Sequence, residues 1–401
     1  MKDTFSARGL LFPLNPLYRL ALAWRELRLR SGLEPVRRLR FPVVSIGNLS
    51  TGGSGKTPLA IALAKALTRR GLRVDVLSRG YGRQSQLAVR VNPNGTAEEF
   101  GDEPILIARD AGVPVYVAPK RYNAGQLAEA DSLPDGDGQG APSSPGAPSS
   151  PGAPSSPGTP SSPGTPSSPG TPSSPGAPSL RALCARVGNP NSPQPSVHEE
   201  NHPPIVHLLD DGFQHRQLYR DVDILLLNRH DWLDSLLPAG NLREPLSAVR
   251  RASAIAIPAD DPELEDDIRT WGWHGLVLRL RRTMRTPSVN GPIAAFCGIA
   301  RPEQFFAGLE SSGLKLAFRQ AFPDHHRYTA LDLDHLAAAA RDASATALIT
   351  TEKDLVRLGA LAHIVPVSIP LSAARLRIEI ENQDAAIDWL LDRLAPASAQ
   401  P

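Results

Sequence analysis

Closely spaced glycines, a lysine and a threonine stand together in the stretch Gly47–Leu59, which reads GNLSTGGSGKTPL. Backbone N–H groups of such a glycine loop turn inward around phosphate oxygens, and the lysine reaches the β- and γ-phosphates. The threonine hydroxyl binds Mg²⁺ in sites of this kind. The stretch therefore predicts a nucleoside triphosphate site. The residues that we assign to it are Gly52, Gly53, Ser54, Gly55, Lys56 and Thr57.

The segments on either side of this loop are those that a phosphate-binding loop, or P-loop, requires. Residues 43–46 are apolar and rich in valine, which predicts a buried strand, and the apolar spacing from Leu59 onward predicts a helix. The N-terminus of that helix adds a dipole that favours phosphate. Ser50 departs from the general pattern, which has glycine at this position. An ordinary glycine-rich turn before a helix is the alternative interpretation.

A second apolar strand, residues 205–211, ends in two aspartates. In nucleotide-binding proteins with a P-loop, a carboxylate at the end of a neighbouring strand holds Mg²⁺ directly or through water. Asp210 and Asp211 are therefore candidate metal ligands together with Thr57. The alternative is a strand that ends in a common Asp-Gly turn.

Asp102, in the sequence GDEP, is a candidate general base for phosphoryl transfer. On the residues alone a helix N-cap is favoured, because Asp102 stands two positions before Pro104. A further candidate cluster is Asp324, His325 and His326. Adjacent histidines on an extended segment point in opposite directions, so two histidines on one metal ion are disfavoured. One histidine that is oriented by a distant aspartate is the better functional interpretation.

The composition indicates two domains with additions, since the chain has 401 residues and a net charge of only +2. Residues 1–40 carry nine Lys/Arg and three Asp/Glu, which gives +6 and leaves −4 for the remainder. This asymmetry indicates a basic N-terminal arm and gives no sign of a nucleic-acid partner. The two cysteines form neither a disulfide framework nor a metal motif, which fits a reducing cytoplasm. We also expect neither a membrane-spanning run nor a secretory signal.

Residues 10–30 predict an amphipathic helix that begins after Pro16. Leucine, alanine and tryptophan recur at steps of three and four residues, and arginines stand between them. This pattern is typical of a helix that lies in a bilayer interface. A helix packed on the protein's own core, with its arginines solvated, explains the pattern equally well.

The predicted fold class is α/β: a P-loop NTPase-like, mostly parallel sheet with helices on both faces, plus a smaller C-terminal α/β domain and the N-terminal amphipathic helix. We predict an N-terminal arm at residues 1–40, a nucleotide-binding domain at 41–260 and a C-terminal domain at 270–396, with an acidic linker at Asp260–Asp267. The C-terminal strands predicted are 276–280, 293–297, 314–317, 347–350 and 365–369, and the helices are 302–309, 331–341 and 385–394.

Residues 131–203 interrupt the predicted nucleotide-binding domain. Within them, residues 141–176 are six tandem copies of [Ala/Thr]-Pro-Ser-Ser-Pro-Gly. A segment with two prolines and one glycine in every six residues, and without large apolar side chains, cannot bury a core. We predict a disordered insertion.

Seven motifs in this order resemble the tetraacyldisaccharide 4'-kinase family, the lipid A kinases of Gram-negative bacteria. They are GNLSTGGSGKTP, SRGYGR, GDEP, DDGFQHR, LPAGNLREP, FPDHHRY and TEKD. The resemblance covers nearly the whole chain except about residues 131–203, and Ser50 is shared by the family. It implies transfer of the γ-phosphate of ATP, with Mg²⁺, to the 4'-hydroxyl of a tetraacyldisaccharide 1-phosphate in lipid A biosynthesis.

The resemblance also implies roles for single residues. Asp102 would be the base, with His325 rather than His326 as its partner, and closure of two domains would assemble the site. Lys56 and Thr57 would hold phosphate and Mg²⁺, and Asp210 and Asp211 would serve the metal. Supporting roles fall to Glu103, His215 and Glu244. By their charge, the residues expected to contact anionic groups of the substrate are Arg79, Arg83 and Arg121.

An acylated acceptor resides in a bilayer, so the resemblance favours the membrane interpretation of the N-terminal helix. It implies a peripheral protein on the cytoplasmic face of the inner membrane. The expected partners are the acylated disaccharide phosphate lipid and the membrane surface. Neither nucleic acid nor an obligate protein partner is expected.

Two other classes of protein were weighed against the kinase. A membrane-associated P-loop regulatory ATPase carries a lysine just before its double glycine, where this chain has Thr51. A GTPase accessory protein for metal insertion needs an Asn/Thr-Lys-x-Asp element, whereas here Glu352 precedes Lys353. Both alternatives are therefore disfavoured.

Overall fold

The computed structural model describes residues 13–53, 55–132, 203–363 and 369–395. Ser54 lies outside the described residues. So do most of the predicted insertion and most of the strand predicted at residues 365–369.

The described residues form an α/β structure. Its helices are α1 (Asn15–Arg30), α2 (Lys56–Arg69), α3 (Ala97–Phe100), α4 (Asp102–Ala111), α5 (Arg121–Ala130), α6 (Arg229–Leu233), α7 (Pro262–Thr270), α8 (Pro302–Ser311), α9 (Ala330–Asp342), α10 (Glu352–Leu358) and α11 (Gln383–Leu394). Its strands are β1 (Val43–Asn48), β2 (Arg73–Ser78), β3 (Val89–Arg90), β4 (Val115–Val117), β5 (Ile205–Asp210), β6 (Val222–Leu226), β7 (Ala254–Pro258), β8 (Leu276–Arg285), β9 (Ile293–Cys297), β10 (Leu316–Ala321), β11 (Ala347–Thr351) and β12 (Leu371–Ile380).

The strands make one sheet in the order β10-β9-β11-β12-β8-β7-β6-β1-β5-β2-β4-β3. Two neighbouring pairs, β12–β8 and β3–β4, are antiparallel, and the others are parallel. A mixed α/β fold with a mostly parallel sheet is thus observed. We call β1–β7 with their helices the N-terminal half, and β8–β12 with theirs the C-terminal half. Because β7 pairs with β8, hydrogen bonding continues between the halves. The predicted domain boundaries stay a prediction.

The acidic linker predicted at Asp260–Asp267 is wrong, because most of it belongs to α7. The Asp261 side chain caps this helix by accepting a hydrogen bond from the N–H of Leu264 at 3.1 Å, and Pro262 occupies the first turn. Leu264 and Ile268 are fully buried. Their four-residue spacing was the signal of a helix, and the density of acidic residues concealed it.

β12 is absent from the strands predicted above. In its sequence the arginines and Glu379 alternate with Leu376, Ile378 and Ile380, which is the two-residue period of a strand with one buried face. Ile378 and Ile380 are buried, and residues 375–380 of β12 pair with β8. β12 connects the strands of the C-terminal half to the rest of the sheet.

The sheet brings the P-loop and the acidic pair to the same edge. β1 lies between β5 and β6, and Ile46 near the end of β1 is level with Asp210 at the end of β5. A Cβ atom on Gly47 would lie 2.5 Å from Cβ of Phe213, so only glycine lets the turn after β5 pack against β1. Carboxyl ends of parallel strands are where α/β proteins bind their ligands.

Candidate active site

The P-loop joins the buried end of β1 to α2. Gly52 and Gly55 have φ angles of 101° and 93°, which favour glycine, and Gly55 is the N-cap of α2. Lys56, the first residue of α2, donates a hydrogen bond from Nζ to Oδ1 of Asn48 at 2.9 Å. The same Nζ atom lies 3.5 Å from Oδ1 of Asp211. The contacts to Asn48 and Asp211 thereby fix the position of the Lys56 ammonium group.

The two aspartates after β5 have opposite electrostatic environments. Burial raises the pKa of Asp210 to about 7, and the negative charges of Glu103 and Asp211 add to the effect. Burial also disfavours the charge on Asp211, but the Lys56 and Arg243 charges outweigh it and lower the pKa of Asp211. Arg243 donates two hydrogen bonds to Asp211, at 3.1 and 3.3 Å. Asp211 is therefore the member of the pair that ionises more readily.

Asp210 fits the role of a metal ligand. Among the described residues its Oδ1 atom is buried without a hydrogen-bond partner, while Oδ2 accepts a hydrogen bond from the Ser78 hydroxyl at 3.4 Å. A buried carboxylate oxygen with no donor is satisfied when a cation is its partner. Thr57, buried at the start of α2, and Asp211 add the oxygen donors that Mg²⁺ prefers.

No group of three or more His, Cys, Asp or Glu side chains in the described part of the chain is arranged to hold a metal ion by itself. Mg²⁺ bound to a nucleotide does not need such a cage. It usually keeps one or two protein ligands and takes its other ligands from phosphate and water.

Asp102 opens α4 and is almost fully buried. The N-cap of α4 is Gly101, so the helix-cap interpretation of Asp102 is wrong. The Oδ1 atom of Asp102 accepts a hydrogen bond from the N–H of Glu103 at 2.9 Å. Its Oδ2 atom accepts one from Nε of Arg357 at 2.7 Å and lies 3.5 Å from Nδ1 of His325. Two side chains of the C-terminal half thus meet a carboxylate of the N-terminal half.

The charges of these three side chains depend on one another. Burial opposes ionisation of Asp102, but the hydrogen bond with His325 and the Arg357 charge outweigh it and lower the pKa of Asp102. The same hydrogen bond raises the pKa of His325 against the effect of burial. A raised pKa favours a protonated Nδ1 that donates to Asp102. The nearby Nη2 atom of Arg357, 3.2 Å from Nδ1, then contacts the ring without a hydrogen bond to it.

Arg357 is fixed within the C-terminal half. Its Nη1 atom donates hydrogen bonds to the carbonyl of Gly298 at 2.5 Å and to Oδ1 of Asp354 at 2.9 Å. Asp354 is fully buried and also accepts hydrogen bonds from the Tyr328 hydroxyl and the Gly298 N–H. Sequence reasoning missed Arg357. The signal was its position three residues after Asp354 of the TEKD motif, on the same face of a helix.

A second ion pair crosses between the halves beside the first. Lys353 of the TEKD motif pairs with Glu103, the residue that follows Asp102. Burial lowers the pKa of Lys353, but the charges of Glu103 and Asp102 outweigh that effect and raise it. Glu103 therefore fixes Lys353 against α4.

The two histidines of FPDHHRY have different surroundings. His325, with a left-handed φ of 59°, faces Asp102, and its ring centre lies 4.9 Å from that of Tyr81 in the SRGYGR loop. His326 stacks on Phe322 and contacts Asp332, a member of the capping box of α9, at 3.2 Å. The structure thus places His325 at the candidate site and His326 within the packing of the C-terminal half.

Three of the predicted basic residues have different positions. Arg121, buried at the start of α5, has a pKa lowered by burial, while the Asp211 carboxylate acts in the opposite direction. It therefore borders the acidic pair. Arg79 is exposed, and its charge acts on Arg121. Arg83 is buried and donates a hydrogen bond to the carbonyl of Leu87 at 2.7 Å, so its position favours a role in holding the loop rather than a contact to substrate.

His215 lies close enough to Arg121 to be affected by its charge. Burial lowers the pKa of His215 to about 4, and the positive charge of Arg121 adds to the effect. The ring is therefore neutral at neutral pH. A neutral imidazole among arginines adds no further positive charge, and it can donate or accept a hydrogen bond.

Glu244 lies beneath α1, not against the acidic pair. It is buried, pairs with Arg251 at 2.5 Å and lies 3.6 Å from Arg25 of α1. A groove of about 560 Å³ opens here between α1 and the segment that follows Arg243. The groove is lined by apolar side chains, by Glu26 and Glu244, and by Arg19, Arg25, Arg30, Arg216 and Arg251.

Sequence reasoning also missed Asn48 and Arg243. Asn48 accepts the Lys56 hydrogen bond, and Nη2 of Arg243 donates to the same Oδ1 atom at 2.6 Å. Both residues stood inside motifs that had been quoted, GNLS and LREP. Polar residues directly after a buried strand or within a structured loop were the available signal.

Three comparisons with known proteins agree. The family model described as tetraacyldisaccharide-1-P 4'-kinase (LpxK) matches residues 7–135 and 195–395. A protein named tetraacyldisaccharide 4'-kinase from Koribacter versatilis is 34% identical over 389 residues, covering 94% of this chain and 97% of that protein. One of the same name from Chromobacterium violaceum is 31% identical over 403 residues, covering 96% and 94%.

A solved structure is also similar. It is the crystal structure of an "apo" form of LpxK from Aquifex aeolicus in complex with ATP. The TM-score is 0.61 at 27% sequence identity, and the match covers 97% of this chain and 99% of that one.

Proposed function

The chain belongs to the tetraacyldisaccharide-1-P 4'-kinase family, and from this membership we propose how its residues carry out the reaction. The activity is ATP-dependent transfer of the γ-phosphate to the 4'-hydroxyl of a tetraacyldisaccharide 1-phosphate, a step of lipid A biosynthesis. Assignments to individual residues, to Mg²⁺ and to the membrane are our proposals.

One observation carries the residue assignments: a buried carboxylate of the N-terminal half, Asp102, contacts His325 of the C-terminal half beside the nucleotide loop. The acidic pair connects this contact with the P-loop, because the charges of Glu103 and Lys56 both act on the pKa of Asp210. The residue next to the proposed base, Glu103, and the proposed phosphate-binding lysine therefore both act on the same carboxylate.

In the proposed reaction, the loop residues Gly52–Thr57 hold the triphosphate and Lys56 neutralises charge on its β- and γ-oxygens. Thr57, Asp210 and Asp211 would hold Mg²⁺. That ion, when bound to the nucleotide, neutralises the charge that develops on the phosphate oxygens. The 4'-oxygen forms a bond to the γ-phosphorus while the bond to the β–γ bridging oxygen breaks, and ADP leaves. The hydroxyl proton passes to Asp102.

His325 and Arg357 keep Asp102 ionised before it accepts this proton. Both cations lower the pKa of Asp102, so the carboxylate is present at neutral pH although it is buried. Proton transfer to a weak base succeeds late in phosphoryl transfer, when the acceptor oxygen has already lost electron density to phosphorus. The role of His325 is to orient the carboxylate and to stabilise its charge.

We also propose that α1 places the site at a membrane surface. Leu17, Leu20, Trp24 and Leu27 are each more than half exposed and recur on one face of the helix. On the opposite face, the Tyr18 hydroxyl donates to the carbonyl of Arg243 at 2.9 Å. Neither sequence alternative was complete, since α1 packs on the protein and also exposes apolar side chains. No described helix is long and apolar enough to cross a bilayer.

The groove beneath α1 supports the proposed lipid partner. It runs beside Glu244, and the preceding residue, Arg243, holds Asp211. Five arginines against two glutamates give its lining a net positive charge, which suits an anionic sugar phosphate. The apolar face of α1 would enter the cytoplasmic leaflet of the inner membrane. The acyl chains of the substrate would stay in that leaflet during the reaction.

The proposal is tested by incubating the full chain with γ-³²P-labelled ATP, Mg²⁺ and a tetraacyldisaccharide 1-phosphate in detergent micelles. The expected result is a labelled lipid whose formation requires Mg²⁺. A folded protein that hydrolyses ATP without labelling the lipid would overturn the assigned reaction.

A further inference from the structure

A cluster of polar residues on the outer side of the P-loop has no role in the reaction described above. It consists of Asp231, Ser50, Asn48 and Arg301, and we call it the Asp231 cluster. Asp231, Ser50 and Asn48 are completely buried. Burying a carboxylate costs solvation free energy. The groups that hydrogen bond to such a carboxylate therefore indicate what it holds in place.

The contacts of this cluster form a continuous chain. The Ser50 hydroxyl lowers the pKa of the nearby Asp231 carboxylate. The Asn48 amide donates to Oγ of Ser50 at 3.1 Å and to its carbonyl at 2.9 Å. The Oδ1 atom of the same amide accepts the hydrogen bond from Lys56. The Asn48 amide cannot rotate without losing both Ser50 contacts. These contacts therefore fix the Asn48 Oδ1 atom, which positions the Lys56 ammonium group.

The other end of this series of contacts lies in the C-terminal half. Arg301, between β9 and α8, places Nη2 at 3.4 Å from Oδ1 of Asp231. Burial raises the pKa of Asp231, and the Ser50 hydroxyl and the Arg301 charge act against that rise. Asn228 holds the second carboxylate oxygen through its amide at 2.9 Å. Arg301 is thus the cationic partner that favours the ionised form of Asp231.

Two further contacts bring the C-terminal half against the P-loop. A Cβ atom added to Gly52 would lie 3.2 Å from Cβ of Ala300. A Cβ atom added to Gly55 would lie 3.0 Å from Nη2 of Arg282. The outer wall of the nucleotide loop is therefore built by β8 and the segment after β9. The loop has little freedom to move independently of the C-terminal half.

We propose that Asp231 is a positioning residue for Lys56, and that Arg301 makes the geometry of the P-loop depend on the docked C-terminal half. The serine at position 50, where the general pattern has glycine, supplies the hydroxyl that this link requires. The inference rests on the proposed function only in taking the loop as the ATP site. Its consequence is that the affinity for ATP depends on whether the two halves are docked.

The test measures the dissociation constant for ATP by displacement of a fluorescent ATP analogue from the full chain without acceptor. Ser50→Gly, which restores the general pattern, is expected to weaken ATP binding roughly fivefold, as for one lost hydrogen bond. Asp231→Asn is expected to weaken it at least about tenfold, because a charged acceptor is lost. The KM for the lipid acceptor should not change. Asp261→Asn, at the α7 cap away from the loop, is the matched control and should bind ATP normally.

The link to the C-terminal half is tested by a double-mutant cycle. Arg301→Gln and Ser50→Gly both act through Asp231, so their combined loss of ATP affinity should be smaller than the product of the single losses. A folded Ser50→Gly protein that binds ATP as tightly as the wild type would overturn the proposal, as would multiplicative losses in the cycle. A wild-type protein that labels no lipid, with ATP affinities that follow the expected order, would overturn the proposed reaction and support this inference.

Discussion

The Oδ2 atom of Asp102 lies 3.5 Å from the Nδ1 atom of His325, although the two residues belong to different halves of the chain. The contact is possible because the start of α4, in the GDEP motif, lies against the FPDHHRY segment that precedes α9. It joins a carboxylate of lowered pKa to an imidazole of raised pKa. The site therefore exists only when the two halves are in contact.

The first prediction concerns the ionisation of His325. Asp102→Asn removes the carboxylate that raises the pKa of His325, so that pKa should fall toward its ordinary value of about 6.5 or below. The imidazole then loses its proton at a lower pH than in the wild type. Histidine ring NMR signals followed against pH measure this directly. His326 contacts Asp332 and not Asp102, so its ring signals are the internal control. An unchanged His325 titration would contradict the pairing.

The second prediction concerns Arg357. Arg357→Gln removes a cation that lowers the pKa of Asp102, so that pKa should rise and the acid limb of the kcat–pH profile should move to higher pH. Stability should also fall by roughly 3 kcal/mol, because the buried carboxylates of Asp102 and Asp354 lose a partner. Chemical denaturation measures that loss. Arg281→Gln, which breaks the exposed pair with Glu381, is the matched control. An acid limb at the wild-type position would show that Arg357 does not act on Asp102.

The third prediction concerns Mg²⁺ and Asp210. Because the pKa of Asp210 is raised to about 7, protons and the metal compete for its carboxylate. Below pH 7 the Mg²⁺ concentration for half-maximal activity should rise about tenfold for each pH unit, and above pH 7 it should level off. Activity titrated with Mg²⁺ at fixed ATP across pH 5.5–8.5, about the range where Asp210 titrates, gives these values. Asp210→Asn should abolish the pH dependence, and a dependence that survives would assign it to another group.

The fourth prediction concerns α1. Replacing Leu17, Leu20 and Trp24 together by serine should reduce binding to anionic phospholipid vesicles at least about tenfold, because these side chains supply the apolar area that would enter the bilayer. Vesicle co-sedimentation measures the partitioning. Leu331→Ser removes an equally exposed leucine from α9 and is the matched control. Equal binding by the triple variant and the wild type would remove the membrane role from this face.

The local elements of the site were predictable from the sequence, because short patterns carried the physical constraint. The strand, the glycine loop and the helix around Lys56 follow from apolar runs and glycine spacing, and the structure has them at β1 and α2. The position of His325 relative to Asp102 was obtained only through the resemblance. Adjacent histidines look alike in sequence, and the left-handed φ that turns His325 toward the site is set by tertiary contacts.

Long-range partners were the part that the sequence could not specify. Arg357 contacts Asp102, and Arg243 contacts Asp211, across distances in the chain at which no periodicity operates. For Arg83 the charge suggested a substrate contact, which stays a prediction; in the structure Arg83 is buried and donates a hydrogen bond within its own loop. Charge in a sequence indicates what a side chain can bind, and packing determines which partner it reaches.

The most direct measurement for the account as a whole is the steady-state kinetics of Asp102→Asn with ATP, Mg²⁺ and a tetraacyldisaccharide 1-phosphate in micelles. The substitution keeps the shape of the side chain and removes the group that would accept the proton of the acceptor. We predict that kcat falls at least about 100-fold while the KM for ATP stays within about twofold of the wild type. A kcat close to that of the wild type, or a loss confined to the KM for ATP, would contradict Asp102 as the base.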